Sequence, residues 1–191
     1  LGQGYGYRAM LYLDLARLFE YKKTGVKALD DEATTLGSYG VTVPIVKETT
    51  PTQDLYNNPC APFYTMYRFI MTDLNRAEEC LAGYTRSIKA YMDRSVIYGL
   101  KTRLWLEMAS RFEQSAADLQ KQIEAENAAD GYDKLGINSA ADCYAKAAHY
   151  AQKALASDGY HPLTEAEWSD PTTGFNTAND SWMLGTLVNS R

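Results

Sequence analysis

Residues Phe63 to Leu81, FYTMYRFIMTDLNRAEECL, constrain this chain more than any other stretch. Phe63, Met66, Tyr67, Ile70, Leu74, Ala77 and Leu81 recur at spacings of three and four, so on an α-helix they form one stripe. Thr65, Arg68, Thr72, Asn75, Arg76 and Glu79 point away from it. Such a helix is stable only when another element covers the stripe. Covering these side chains contributes about 10–15 kcal/mol gross, most of it offset by the ordering of the chain. The rest of the sequence must therefore supply partner helices.

Three segments qualify. Tyr5 to Tyr21 reads as a helix with Tyr7, Leu11, Leu15, Leu18 and Phe19 on its apolar face. Arg8 falls within that face and must either reach solvent or meet a carboxylate, because an unpaired buried charge is costly. Asp73, at the edge of the Phe63 stripe, is the candidate partner of a structural ion pair; a ligand-binding arginine is the alternative. Asp93 can cap another helix whose stripe is Ile97, Leu100, Leu104, Trp105, Met108 and Phe112. Beyond Phe112 the apolar pattern thins while helix propensity stays high, which predicts an exposed helical extension to about Ala129. Ser139-x-x-Asp142 is a weak capping box for the last helix, with Tyr144, Ala147, Ala148, Ala151 and Leu155 as its stripe. Asp158-Gly159 stops it.

The segments between are equally informative. Thr24 to Pro62 is long, rich in Gly and Pro, and carries one β-like run, Val41 to Val46. Its length predicts an ordered functional or packing loop. Pro62 suits the first turn of the Phe63 helix, and Gly83 suits its end. Residues 160–191 turn to Thr, Asn, Asp, Gly and aromatics, a loop composition. The chain thus divides into a helical-hairpin region over 1–159 and a loop-rich segment over 160–191. It opens at Leu1 without a leader and stops soon after Trp182-Met183-Leu184, which reads as an internal piece of a longer protein.

Charge and cysteine content exclude several classes. A net charge of −5 without a basic stripe argues against nucleic acid. No apolar run approaches the roughly 20 residues of a membrane-spanning helix. Cys60, Cys80 and Cys143 are an odd set with no zinc spacing, and read as small buried apolar residues. His149 and His161 lack a metal-binding companion pattern. There is no phosphate-binding glycine loop and no nucleophile elbow. Glu165, Glu167 and Asp170 could be imagined as a glycosidase acid and base, but acids in a polar loop are ordinarily solvated. The acids from Asp170 to Asp180 lack the alternating ladder of a calcium loop. No cofactor is called for.

The fold class read from these elements is all-α, with degenerate tetratricopeptide-like hairpins and long ordered loops. YAKAAHYAQKAL has the small-residue face of one tetratricopeptide helix, although the full repeat signature is missing. Taken in order, several short motifs resemble the SusD/RagB family of outer-membrane glycan-binding lipoproteins. They are Arg8-Ala9, Val43-Pro44-Ile45-Val46-x-Glu48-x-Thr50, Asp73-Leu74-x-x-Ala77, Tyr144-x-x-Ala147-x-x-Tyr150-Ala151 and Gly159-Tyr160-x-Pro162-Leu163. The resemblance runs along nearly the whole chain and covers only the middle of the family's architecture. It implies a non-catalytic protein on the cell-surface side of the outer membrane, lipid-anchored through a segment absent here. It further implies delivery of starch or another polysaccharide to a SusC-like TonB-dependent transporter. A protein-binding scaffold of tetratricopeptide type, without sugar binding, is the alternative.

The family has no fixed set of glycan contacts, so candidate contacts rest on residue chemistry. Sugars stack flat C–H faces on Trp or Tyr while amides and carboxylates take the hydroxyls. Trp168 beside Asp170, Trp182 beside Asn176 and Asn179, and Tyr39 in the long loop have that composition. The competing reading is that both tryptophans pin the tail onto the helices, since Trp is usually mostly buried. Trp105, within a helical stripe, belongs to the core.

Overall fold

The Phe63 segment forms helix α3, Phe63–Cys80, in a computed structural model that describes residues 1–174 and 177–185. Pro62 sits at its N-cap in extended conformation, and Phe63 N donates to Gly40 O at 2.7 Å. The predicted stripe is buried, but so are Arg68, Thr72 and Asp73 from the flanks. A second stripe, Arg68, Thr72 and Asn75, lies beneath the connector over residues 126–134. Arg68 donates to the carbonyls of Ala125 (2.7 Å), Tyr132 (3.0 Å) and Asp133 (3.2 Å), and its Nη1 and Nη2 straddle the Asp130 carboxylate. Thr72 Oγ1 accepts from Asp133 N at 2.8 Å, and Asn75 Nδ2 donates to Asp133 Oδ2 at 2.7 Å. Polar residues expected to face water are buried here because they satisfy a loop's backbone.

Helix α1, Gly2–Phe19, runs antiparallel to α3: Gly2 abuts Cys80 and Leu81, Arg8 meets Asp73, and Tyr12 meets Phe69 edge-on at 5.0 Å. Its buried face is Gly2, Gly6, Ala9, Leu13 and Ala16. That corrects the predicted face, since Leu11, Leu15, Leu18 and Phe19 are exposed. The cause is close approach. A Cβ on Gly6 would fall 2.7 Å from Met92 Sδ and 2.9 Å from Ile97 Cδ1, so absence of bulk outweighs apolar character at this contact. Arg8 makes the predicted pair, with Nε to Asp73 Oδ2 at 2.6 Å and Nη2 to Oδ1 at 2.8 Å. Its Nη1 also reaches Glu48 at 2.5 Å.

The long loop is more structured than its composition implies. It contains helix α2, Lys27–Thr35, strand β1, Val41–Pro44, a 3₁₀ turn, Thr52–Asn57, and strand β2, Cys60–Pro62. β1 and β2 pair antiparallel in a two-stranded sheet, Val41 opposite Pro62 and Pro44 opposite Cys60. The prolines are tolerated because both strands are edges.

Helix α4, Arg94–Gln114, is capped by Asp93, which accepts from Ser95 N and Val96 N. All six residues of its predicted stripe are buried, Trp105 among them. The predicted exposed extension is instead a separate helix, α5, Ala116–Ala125. Ser115 adopts an extended conformation, ends α4 and caps α5 by accepting from Asp118 N. Asp118 and Gln122 turn inward, Gln122 Nε2 donating to Tyr64 O at 3.1 Å. Helix α6, Ala140–Asp158, is capped by Ser139 and stopped by Gly159 at φ 64°. It runs antiparallel to α4, Tyr150 lying beside Tyr98 and Tyr144 donating to Glu113 at 2.7 Å. Its buried positions are Cys143, Ala147 and Ala154, whereas Tyr144, Ala148 and Leu155 face outward, one position away from the expected stripe. Of the cysteines only Cys143 is buried; Cys60 and Cys80 are exposed, against expectation.

The described residues of 160–185 carry one short helix, α7, Glu165–Ser169, opened by a Thr164/Glu167 capping box. The segment is clipped to the start of α4. Arg86 Nε meets Asp93 at 3.0 Å, its Nη1 donates to Met183 O at 2.5 Å, and Met183 packs against Gly99. Met183 and Leu184 join the core from outside.

Candidate functional site

Tyr39 is placed by its neighbours. Gly37 and Gly40 both have positive φ, 67° and 72°, which reverses the chain after α2. A Cβ on Gly40 would lie 2.8 Å from Phe63 Cδ1, so this turn accepts only glycine. The reversal points Tyr39 at the junction of α4 and α5, where its hydroxyl donates to Asp118 Oδ2 at 2.6 Å. Burial, followed by this bond to a carboxylate, raises the phenol to about 12. It therefore remains a proton donor at neutral pH.

Behind the ring lies a buried ionic chain. Arg111 Nη1 bonds Glu20, its Nε bonds Asp118 Oδ2 at 3.0 Å, and its guanidinium lies 3.7 Å from the centre of the Phe63 ring. Burial opposes the Arg111 charge, but the Tyr67 phenol, Glu20 and Asp118 outweigh it, so its pKa is raised. Burial also pushes the Glu20 carboxyl up, against the pull of Arg111. Lys23, Lys121 and Arg111 stand 5.6–5.8 Å from the Tyr39 ring centre.

Tyr39 divides two open grooves. One, of about 240 Å³, is lined by Lys22, Lys23, Ser110 and Gln114 among others. The second, of about 440 Å³, runs past Val41, Pro62, Tyr64, Lys121 and Glu124. Aromatic and proline faces alternate there with a lysine and a carboxylate. Such a surface can offer stacking to an apolar ring face and paired donors and acceptors to hydroxyls. Tyr64, Lys121 and Glu124 are absent from the sequence-derived set. Tyr64 falls at the edge of a helical stripe, and the other two look like ordinary solvated helix charges.

The tryptophans lie elsewhere. Trp168 is on α7 and 59% exposed. Trp182 is partly buried, and a Cβ on Gly185 would fall 2.5 Å from its ring. Asn176 and Phe175 lie outside the described residues. The tail meets α4 at Ser95 and Gly99, while Tyr39 meets it at Arg111, about 18 Å further along the helix. Tyr39 and the tryptophans are thus not brought into one site.

The polar partners proposed for the tryptophans are engaged locally. Asp170 accepts from Thr172 N, Thr173 N and Thr173 Oγ1, bonds that hold its carboxyl below the ordinary range. Asn179 closes a turn on Ser181 and Gly174. Glu167 caps Thr164. Among the described residues no group of three or more His, Cys, Asp or Glu converges for a metal. No helix there is long and apolar enough to cross a membrane.

No protein-family profile matches the chain, and no curated protein matches it. Among solved structures it is similar to a SusD-like carbohydrate-binding protein from Bacteroides vulgatus, with a TM-score of 0.61 and 24% identity. The match covers 96% of this chain and 29% of that one. At this identity the likeness establishes the fold. The helical arrangement is that of one portion of a SusD-like protein, and the chain spans under a third of that protein's length.

Proposed function

We propose that this chain is part of a cell-surface, non-catalytic glycan-binding protein of the SusD type. In this reading it captures a polysaccharide such as starch and passes it to a TonB-dependent outer-membrane transporter, the whole protein being held by a lipid anchor. The observation that carries the reading is the fold, shared over 96% of the chain with a protein described as carbohydrate-binding. The helices form the scaffold, and the groove between Tyr39 and Tyr64 is the saccharide surface that this portion contributes. Trp168, exposed on α7, is a second contact.

Isothermal titration with a panel of neutral and acidic oligosaccharides tests this. Saturable heat, reduced about five- to thirteenfold in affinity by Tyr39→Ala, supports it, since loss of one stacking ring is worth about 1–1.5 kcal/mol. Loss on Trp168→Ala alone would move the site to the tail. Release of reducing ends from any polysaccharide would overturn the non-catalytic reading.

One feature favours a second reading, a protein-binding scaffold. Leu11, Leu15, Leu18 and Phe19 form an exposed ridge on α1. Apolar patches of this kind mark interaction surfaces. A chain that ignores every sugar and loses a protein partner on Leu15→Ser would be a scaffold.

A further inference from the structure

Tyr39 is anchored at two ends, and both anchors lead to Arg111. Its backbone is tied to the end of α1: Tyr21 and Tyr39 form an isolated parallel bridge, and Gly40 N donates to Tyr21 O at 3.0 Å. Glu20, the residue before Tyr21 and the C-cap of α1, is buried and bonds Arg111 Nη1. The Tyr39 hydroxyl is tied to α5, donating to Asp118 Oδ2 at 2.6 Å. That same oxygen accepts from Arg111 Nε at 3.0 Å. Asp118 is 1% exposed and sits in the first turn of α5, where its N–H donates to the capping Ser115 Oγ at 3.2 Å. A buried carboxylate gripped by a cation is a fixed point, and a hydrogen bond to it is stronger than one between neutral groups. The ring held by that bond stays at the surface and lines both grooves.

A tyrosine side chain turns about two torsions, and a ligand that stacks on a loose one must freeze them. Here they are fixed beforehand. Resting on the saccharide reading of this groove, we propose that Asp118 is a positioning residue for glycan binding: it touches no sugar, and it sets the Tyr39 ring in its stacking pose before the ligand arrives. Arg111 acts one step further back, through Asp118 and Glu20. The phenol hydrogen is committed to Asp118, so Tyr39 offers a sugar its ring face and not a donor.

Calorimetric titration with maltoheptaose, and with any member of the wider panel that binds, tests the proposal in Tyr39→Phe, Asp118→Ala and the double variant. Each single change should weaken binding about two- to twelvefold, the cost of ordering one side chain on association. Because both remove the same bond, the double variant should bind no worse than Asp118→Ala alone. Tyr39→Phe keeps the ring and should keep the thermal melt. Relaxation of labelled aromatic carbons gives a second readout: before sugar is added, the ring at position 39 should be less ordered in Tyr39→Phe than in the parent. If Asp118→Ala fails to fold, the affinity and ring order of Tyr39→Phe decide alone. Parent affinity or a parent-like rigid ring in Tyr39→Phe, with binding still lost in Tyr39→Ala, overturns this inference and leaves the glycan reading standing. So does a loss on Tyr39→Phe that persists undiminished beside Asp118→Ala, since the hydroxyl then meets the sugar itself. No binding of any sugar overturns both.

Discussion

Arg8 shows how much a single side chain can commit a fold to one arrangement. Its guanidinium lies 20% exposed and grips Asp73, whose carboxylate is 1% exposed, while a third N–H reaches Glu48 at the surface. The two acids do different work. Asp73 is buried, so losing its cation leaves a stranded charge, and Arg8→Met should cost about 3–5 kcal/mol in urea unfolding. Glu48 is 59% exposed, and Glu48→Gln should cost under about 1 kcal/mol. A double-mutant cycle of Arg8→Met with Asp73→Asn checks the assignment: strong coupling is expected, and additive losses would refute it. The pair was readable in the sequence because a charge inside an apolar stripe demands an opposite charge nearby. Tyr39 was readable only as composition. Its position depends on two left-handed glycines and on one acid of α5, Asp118, which together leave no local signal.

At the level of elements, the sequence revealed helices better than it revealed their faces. α4 was legible because Ile97, Leu104, Met108 and Phe112 are both large and buried. α1 was misread because its contact with α3 and the Met92 region is made by glycine and alanine, while its leucines face outward. Substitution separates the two faces. Gly6→Val should destabilise by about 1–3 kcal/mol, because the added carbons overlap Met92 and Ile97. Leu18→Ser, at a side chain 76% exposed, should stay within about 0.5 kcal/mol. Denaturant midpoints of both variants decide it, and the reverse order would restore the leucine face as the packed one. α5 was misplaced for a related reason. Asp118 and Gln122 look like surface residues until Tyr39, Arg111 and the Tyr64 carbonyl supply their partners.

Across the whole molecule, two antiparallel pairs, α1 with α3 and α4 with α6, meet along α3 and α4. Glu78 ties three of those helices at once, through Arg94 and Lys101 of α4 and Lys153 of α6. Burial opposes its charge, but the bond from Lys101 and the field of both lysines hold its carboxyl down at about 2. A depressed carboxylate contributes stability that is complete above its ordinary value of 4.5 and is lost as pH falls towards 2. Glu78→Gln should therefore flatten the acid limb of the stability curve across that window, as read from urea midpoints at successive pH values. A limb as steep as in the parent would show that other carboxylates carry it. The clasp that Arg68 makes around the connector after α5 has a consequence for inheritance. The arginine reads three main-chain carbonyls and one aspartate, while the side chains of Glu126, Tyr132 and Asp133 make contacts of their own with Leu135 N, the Phe69 ring and Asn75. Along that connector lineages are therefore free to rewrite the exposed positions Asn127, Ala128 and Ala129, provided the anchored side chains and the length of the turn survive, while Arg68 itself has no freedom to drift.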